Sequence, residues 1–252
     1  MPEASLAWWA FPLFFLVAML YASVGHGGAS GYLALFALLG VVQSGVVPVA
    51  LMLNTLVAGL GWFVYMRRGF FSASLLLPFI IGSIPAAFLG GRIQLSATAF
   101  SLVLGVTLVL AALRMLFLRE VQPVSNITVT RQRQLWSMAI GVILGFLAGM
   151  VGIGGGVFLS PILLFLKWAD VKQSAAVSSA FIVLNSLSGL AGHLLRGSLP
   201  TGPMVLLGGV VLAGGLAGSY AGSRHVRPLH LQTLLGVVLL IAGGKLLLPL
   251  LG

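Results

Sequence analysis

The chain has no cysteine, three carboxylates and little charge of any kind: 6% of its 252 residues are charged, against 60% that are hydrophobic. Each shortage excludes something. Without cysteine there are no disulfides and no thiol-bound metals or clusters, although the compartment stays undecided. A soluble domain carries about 25% charged residues, so this chain cannot present a sufficiently polar surface to water. The carboxylates Glu3, Glu120 and Asp170 all fall in the N-terminal tail or in loops, leaving no acidic side chain within an apolar segment to ligate a cation or relay a proton. Sodium held by main-chain carbonyls stays open.

What the chain has instead is apolar runs. Ten segments stand out, at 6–24, 29–42, 46–66, 72–89, 98–118, 135–151, 156–166, 173–195, 201–221 and 229–250. Runs of about 20 continuous apolar residues fit helices crossing a hydrocarbon core of about 30 Å, whereas barrel strands are shorter and alternate. The expected fold is an all-α, polytopic membrane protein. Its N-terminus lacks the basic region of a cleaved signal peptide and its first charge is Glu3, so the first segment reads as a retained helix. The formal net charge of +10 does not imply nucleic acid, because the basic residues are scattered singly between apolar segments. The bilayer and a small ligand are the expected partners.

The long polar stretch "REVQPVSNITVTRQRQ", residues 119–134, separates a first repeat (1–118) from a second (135–252). "VGHGG" at 24–28 matches "VGIGG" at 151–155, "RRG" at 67–69 matches "LRG" at 195–197, and "LGGR" ending at Arg92 matches "AGSR" ending at Arg224. The register of the last segments pairs Gly105 with Gly236 and Arg114 with Lys245. With an odd number of steps per half, the second repeat enters the membrane inverted. Alternation then puts ten basic residues on the side of Arg67 and Arg68, among them Arg114, Arg131 and Arg133, and only Arg92, Arg196 and Lys245 on the other. The positive-inside rule makes the first side cytoplasmic and both termini periplasmic.

Glycine marks the candidate site. Gly152, Gly154, Gly155 and Gly156 crowd five positions, and Gly25, Gly27 and Gly28 form the weaker copy, with His26 where the second turn has Ile153. The segments after the turns are short, about 17 Å for 156–166 and about 21 Å for 29–42 at about 1.5 Å per residue, as half-helices or re-entrant segments would be. Paired short segments interrupted by glycine point to a midplane binding site, where free N–H groups at half-helix N-termini favour anions. Glycines also let membrane helices pack closely, and that alternative stands beside the first.

Ser23, Ser30 and Ser160 adjoin the turns, and Asn54, Thr55, Ser178, Ser179, Asn185 and Ser186 lie in the third segment of each half. They either bond substrate oxygens or bridge helices. His26 could donate to an anion or carry a proton, its ordinary pKa being about 6.5. His193, His225 and His230 read as solvated or capping residues near helix ends, and Arg92 and Arg224 as topology and headgroup residues. No metal site and no cofactor are expected.

"FLAGMVGIGGGVFLSPILLF", the helix "AVSSAFIVLNSLSGLAGHLLRG" after it, and the copy "MLYASVGHGGASGYLALF" resemble the sulfite exporter TauE/SafE family of bacterial permeases, also described as toluene-sulfonate uptake permeases. The resemblance covers nearly the whole chain. It implies a secondary transporter of the bacterial inner membrane for sulfite, thiosulfate or organosulfonates, and its motif falls on Gly152, Gly154, Gly155, Gly156 and Pro161 and on Gly25, Gly27 and Gly28. The first turn departs from it, with Ala29 in place of the last glycine and no proline matching Pro161. A passive anion channel, or a membrane enzyme or assembly factor, is the competing reading. The many small residues in the helices are compatible with a homodimer.

Overall fold

The computed structural model describes residues 8–23, 25–40, 46–117, 131–197, 204–224 and 229–250, and all regular structure among them is helical. The helices are α1 (Phe11–Ser23, entered through a 3-10 turn at Trp8–Ala10), α2 (Ala29–Leu38), α3 (Val46–Arg67), α4 (Ala73–Arg92), α5 (Ala97–Phe117), α6 (Arg131–Val151), α7 (Gly156–Phe165), α8 (Val171–Leu195), α9 (Met204–Arg224) and α10 (Leu229–Leu247). Among the described residues five of them, α3, α4, α5, α6 and α8, are long and apolar enough to cross a membrane. Two are short: α2 and α7 have 10 residues each, about 15 Å, half a hydrocarbon core.

Local chemistry sets several boundaries. Asp170 caps α8, its carboxylate accepting from the Gln173 N–H at 2.8 Å. Helix α6 begins at Arg131 rather than at Leu135, so the end of the polar stretch is helical. Arg and Gln are good helix formers, and the Arg133 guanidinium lies 4.6 Å over the Trp168 ring, which holds that turn against the loop after α7. The rest of the 119–130 stretch lies outside the described residues, as do His225 and Arg227.

Helix packing comes in matched pairs. α4 packs on α6 as α9 packs on α1, α4 on α8 as α9 on α3, and α7 on α8 as α2 on α3, while α3 meets α8 and α5 meets α10. Small residues permit the closest of these contacts. Gly141, Gly145 and Gly149 of α6 lie directly on the carbonyls of Phe79, Ser83 and Ala87, and Gly214 and Gly218 of α9 lie on those of Phe15 and Met19, where any Cβ would collide. Helices α5 and α10 run antiparallel, Gly105 facing Leu247 and Gly236 facing Leu116. The outer surface stays apolar, with Leu77, Ile81, Leu89, Leu110 and Ile143 exposed, as a lipid-facing surface requires.

Candidate functional site

The two glycine turns meet in the middle of the bundle. Gly28 and Gly155 are the N-cap residues of α2 and α7, and both adopt left-handed backbone, φ 93° and 69°, a conformation that costs a residue with a Cβ about 1 kcal/mol or more. Neither turn receives a side-chain cap from its own N-cap residue. In the second turn the Gly156 and Phe158 N–H groups bond the Gly154 and Gly155 carbonyls at 2.9 and 3.1 Å, and both half-helices point their N-termini into the interior, the polarity that suits an anion.

Asn54 of α3 sits between the turns. Its Oδ1 accepts from the Ala29 N–H at 3.1 Å, which satisfies one donor at the start of α2, and its Nδ2 donates to Ser186 Oγ of α8 at 2.9 Å. A Cβ on Gly27 would strike the amide oxygen of Asn54, and one on Gly154 would strike its nitrogen. These glycines are small because the amide passes between them. Ser179 of α8 anchors the first turn from the other half, donating to the Gly25 carbonyl at 2.6 Å and sharing its hydroxyl with the Ala175 carbonyl at 2.8 Å. Ser160 of α7 donates to Ser178 Oγ at 2.8 Å, and Ser174 Oγ donates to the Ser160 carbonyl at 3.1 Å, which ties the second half-helix to α8. Ser30 pairs with the Tyr21 hydroxyl at 2.8 Å. His26 is buried in the first turn, and its main-chain N–H donates to the Tyr21 carbonyl at 2.9 Å.

The structure thus gathers Gly25, His26, Gly27, Gly28, Ser30, Asn54, Gly152, Gly154, Gly155, Gly156, Ser178 and Ser179 around the turns. Thr55 and Asn185 differ: Thr55 Oγ1 donates to the Leu51 carbonyl at 2.8 Å and Asn185 Nδ2 to the Phe181 carbonyl at 2.8 Å, each within its own helix. Ser23 likewise bonds back to the Leu20 carbonyl at 2.7 Å.

His193 corrects the solvated half of the sequence reading and keeps the capping half, its ring meeting the Gly149 carbonyl in the last turn of α6. It is 1% exposed rather than solvated. Arg196 Nη2 lies 3.2 Å from His193 Nδ1, and His193 Nε2 lies 2.9 Å from the Gly149 carbonyl. A guanidinium only donates and a carbonyl only accepts, so Nδ1 accepts and Nε2 carries the proton. Arg196 also donates to the Ile93 carbonyl, joining the ends of α8, α6 and α4. Tyr21, Tyr32 and Ser186 border the site as well; the tyrosines gave no periodicity or motif signal that set them apart from core aromatics.

Apolar helices around two buried half-helix N-termini define a multi-pass α-helical membrane protein with an interior polar site. The chain belongs to the sulfite exporter TauE/SafE family, whose model matches residues 10–246. It is similar to the probable membrane transporter protein y4hK of Sinorhizobium fredii, 37% identical over 237 residues that cover 93% of this chain and 95% of that protein. It is also similar to the probable membrane transporter protein YunE of Bacillus subtilis, 24% identical over 68% of both chains. A shorter stretch of 54 residues is 48% identical to the probable membrane transporter protein MJ0441 of Methanocaldococcus jannaschii, covering 21% of this chain and 20% of that one. No solved structure matches the chain.

Proposed function

We propose that the protein is a secondary transporter that carries a small sulfur-containing anion, such as sulfite, thiosulfate or an organosulfonate, across the bacterial inner membrane by alternating access. The observation that carries this reading is the meeting of the two half-helix N-termini at Asn54, in a chain whose described carboxylate, Asp170, is occupied in capping α8. An anion held there finds main-chain N–H groups and hydroxyls and no opposing negative side chain.

The two halves act as inverted repeats, 1–118 and 135–252, with both termini periplasmic. Repeat-equivalent helices α5 and α10 lie antiparallel with reciprocal contacts, which supports a twofold axis in the membrane plane. Under such an axis, inward-open and outward-open states arise by the halves exchanging conformations around one site. The excess of basic residues on one side supports the orientation.

The test is counterflow of labelled sulfite and ethanesulfonate in proteoliposomes. A carrier shows saturable uptake accelerated by unlabelled anion inside. Flux that rises linearly with concentration and ignores the trans anion would identify a channel, and no flux of either anion would sink the assignment to sulfur anions.

A further inference from the structure

Helices α4 and α6 leave a groove of about 520 Å³ on the outer surface, away from the glycine turns. The two helices run parallel, because Gly141, Gly145 and Gly149 of α6 meet the carbonyls of Phe79, Ser83 and Ala87 of α4 in the same order. Their starts therefore lie at one face of the bundle. In that register Ser74 stands level with Trp136, which is 60% exposed, and exposed tryptophan collects at headgroup depth in membrane proteins. Arg131 and Gln134 of α6 and Ser74 of α4 line the groove at its mouth, near that depth. Leu77 and Ile81 of α4 face Leu135 and Met138 of α6 along its walls, and all four side chains are exposed.

The mouth is positive. Arg131 brings a guanidinium, the partial positive charge at the starts of α4 and α6 adds to it, and neither helix has an acidic residue in its first turn. Asp170, the described carboxylate, is occupied in capping α8. The arrangement belongs to one half of the chain: aligning Gly152 with Gly25 sets Arg131 and Gln134 against Ala4 and Ala7.

We propose that this groove holds one anionic phospholipid, its phosphate against Arg131, Gln134 and Ser74 and an acyl chain along Leu77, Ile81, Leu135 and Met138. A guanidinium beside neutral donors matches a phosphate with one net negative charge, and basic pockets between membrane helices take anionic headgroups. The apolar walls match an acyl chain, which free phosphate lacks. A zwitterionic lipid would bring its own cation to the arginine. A second copy of this chain fits less well, because in the same membrane orientation it would set a basic face against a basic face. Arg67 and Arg68 precede α4, and Arg133 and Lys172 lie over Trp168 and Phe70 at the same end. This inference goes beyond the transport reading and does not depend on it.

The experiment is native mass spectrometry of the purified protein, titrated with phosphatidylglycerol or with phosphatidylcholine of the same acyl chains, for wild type, Arg131→Gln, Ile81→Trp and Arg67→Gln. Wild type is expected to bind one phosphatidylglycerol in preference to phosphatidylcholine. Arg131→Gln should weaken phosphatidylglycerol binding by about fivefold, the effect of one cationic side chain at an anionic headgroup. Ile81→Trp, which fills the apolar wall and keeps the charge, should weaken it as well. Arg67→Gln removes an exposed arginine at the same face outside the groove and should leave binding unchanged. Thermal unfolding shows which variants are folded, and the groove side chains replaced are exposed ones. Equal binding of the two lipids by wild type overturns the proposal, as does a folded Arg131→Gln or Ile81→Trp protein that binds phosphatidylglycerol as wild type does. Equal losses in Arg131→Gln and Arg67→Gln would mean a diffuse basic face and no groove site. Complexes of two chains that Ile81→Trp separates would make the occupant a second copy, and the lipid would be wrong.

Discussion

Asn54 donates to Ser186 across the two halves of the chain, 2.9 Å over a separation of 132 residues, while its carbonyl oxygen holds the first N–H of α2. One amide thus links α3, α8 and one half-helix N-terminus. Aspartate at this position keeps the shape and can accept both from Ala29 and from a reoriented Ser186 hydroxyl. It also places a negative charge between the turns. Asn54→Asp is therefore expected to stay folded and to lose anion exchange, whereas Asn54→Ala should lower stability by about 1–3 kcal/mol, because buried donors and acceptors lose their partner. Counterflow and thermal unfolding measured on both variants separate the effects, and an Asn54→Asp protein that exchanges anions at the wild-type rate would remove Asn54 from the binding site.

The clamp at the other end of α8 is expected to behave differently. His193 Nε2 donates to the Gly149 carbonyl in the last turn of α6, and its Nδ1 accepts from Arg196, on the part of α8 beyond Ser179 and Ser186. His193→Phe fills the space but leaves the Gly149 carbonyl and an Arg196 N–H without partners. We expect a loss of about 1–3 kcal/mol of stability with little change in the concentration that half-saturates exchange. Thermal unfolding alongside counterflow checks it. A changed half-saturation concentration with unchanged stability would mean that the clamp belongs to the transport cycle instead.

Much of this was legible in the sequence because it is local. Glycine spacing located both turns, apolar runs located the helices, and the half-helices proved shorter than their apolar segments, ending at Leu38 and Phe165. The uses of polar residues were less legible, because each depends on a partner far along the chain. Nothing near residue 193 in sequence points to the Gly149 carbonyl, so a histidine beside an arginine at a helix end reads as solvated or as a cap of its own helix rather than of α6. Arg114 reads as a topology signal because its charge fits the positive-inside count, and only the packing around α5 shows its Nη1 buried. Thr55 and Asn185 look like their neighbours Asn54 and Ser186 in composition; a rotation of about 100° per residue around the helix axis directs them elsewhere.

Gly105 of α5 and Gly236 of α10 make reciprocal contacts. A Cβ on Gly105 would stand 2.8 Å from Leu247 and 3.3 Å from the Gly243 carbonyl, and a Cβ on Gly236 would stand 2.9 Å from Leu116 and 3.3 Å from the Ala112 carbonyl. These contacts exchange when each residue of α5 is replaced by its repeat partner in α10, so the two glycines make one interface twice. Leucine at either position should push the same two helices apart and cost a similar amount, about 1–3 kcal/mol by overpacking. Once the first leucine has separated the helices, the second meets less resistance, so the double variant should cost less than the sum. Unfolding free energies of Gly105→Leu, Gly236→Leu and the pair form the cycle that checks this. Clearly unequal single costs, or strict additivity, would mean that the contacts are not energetically equivalent, and the twofold relation inferred for the transport cycle would lose its main support.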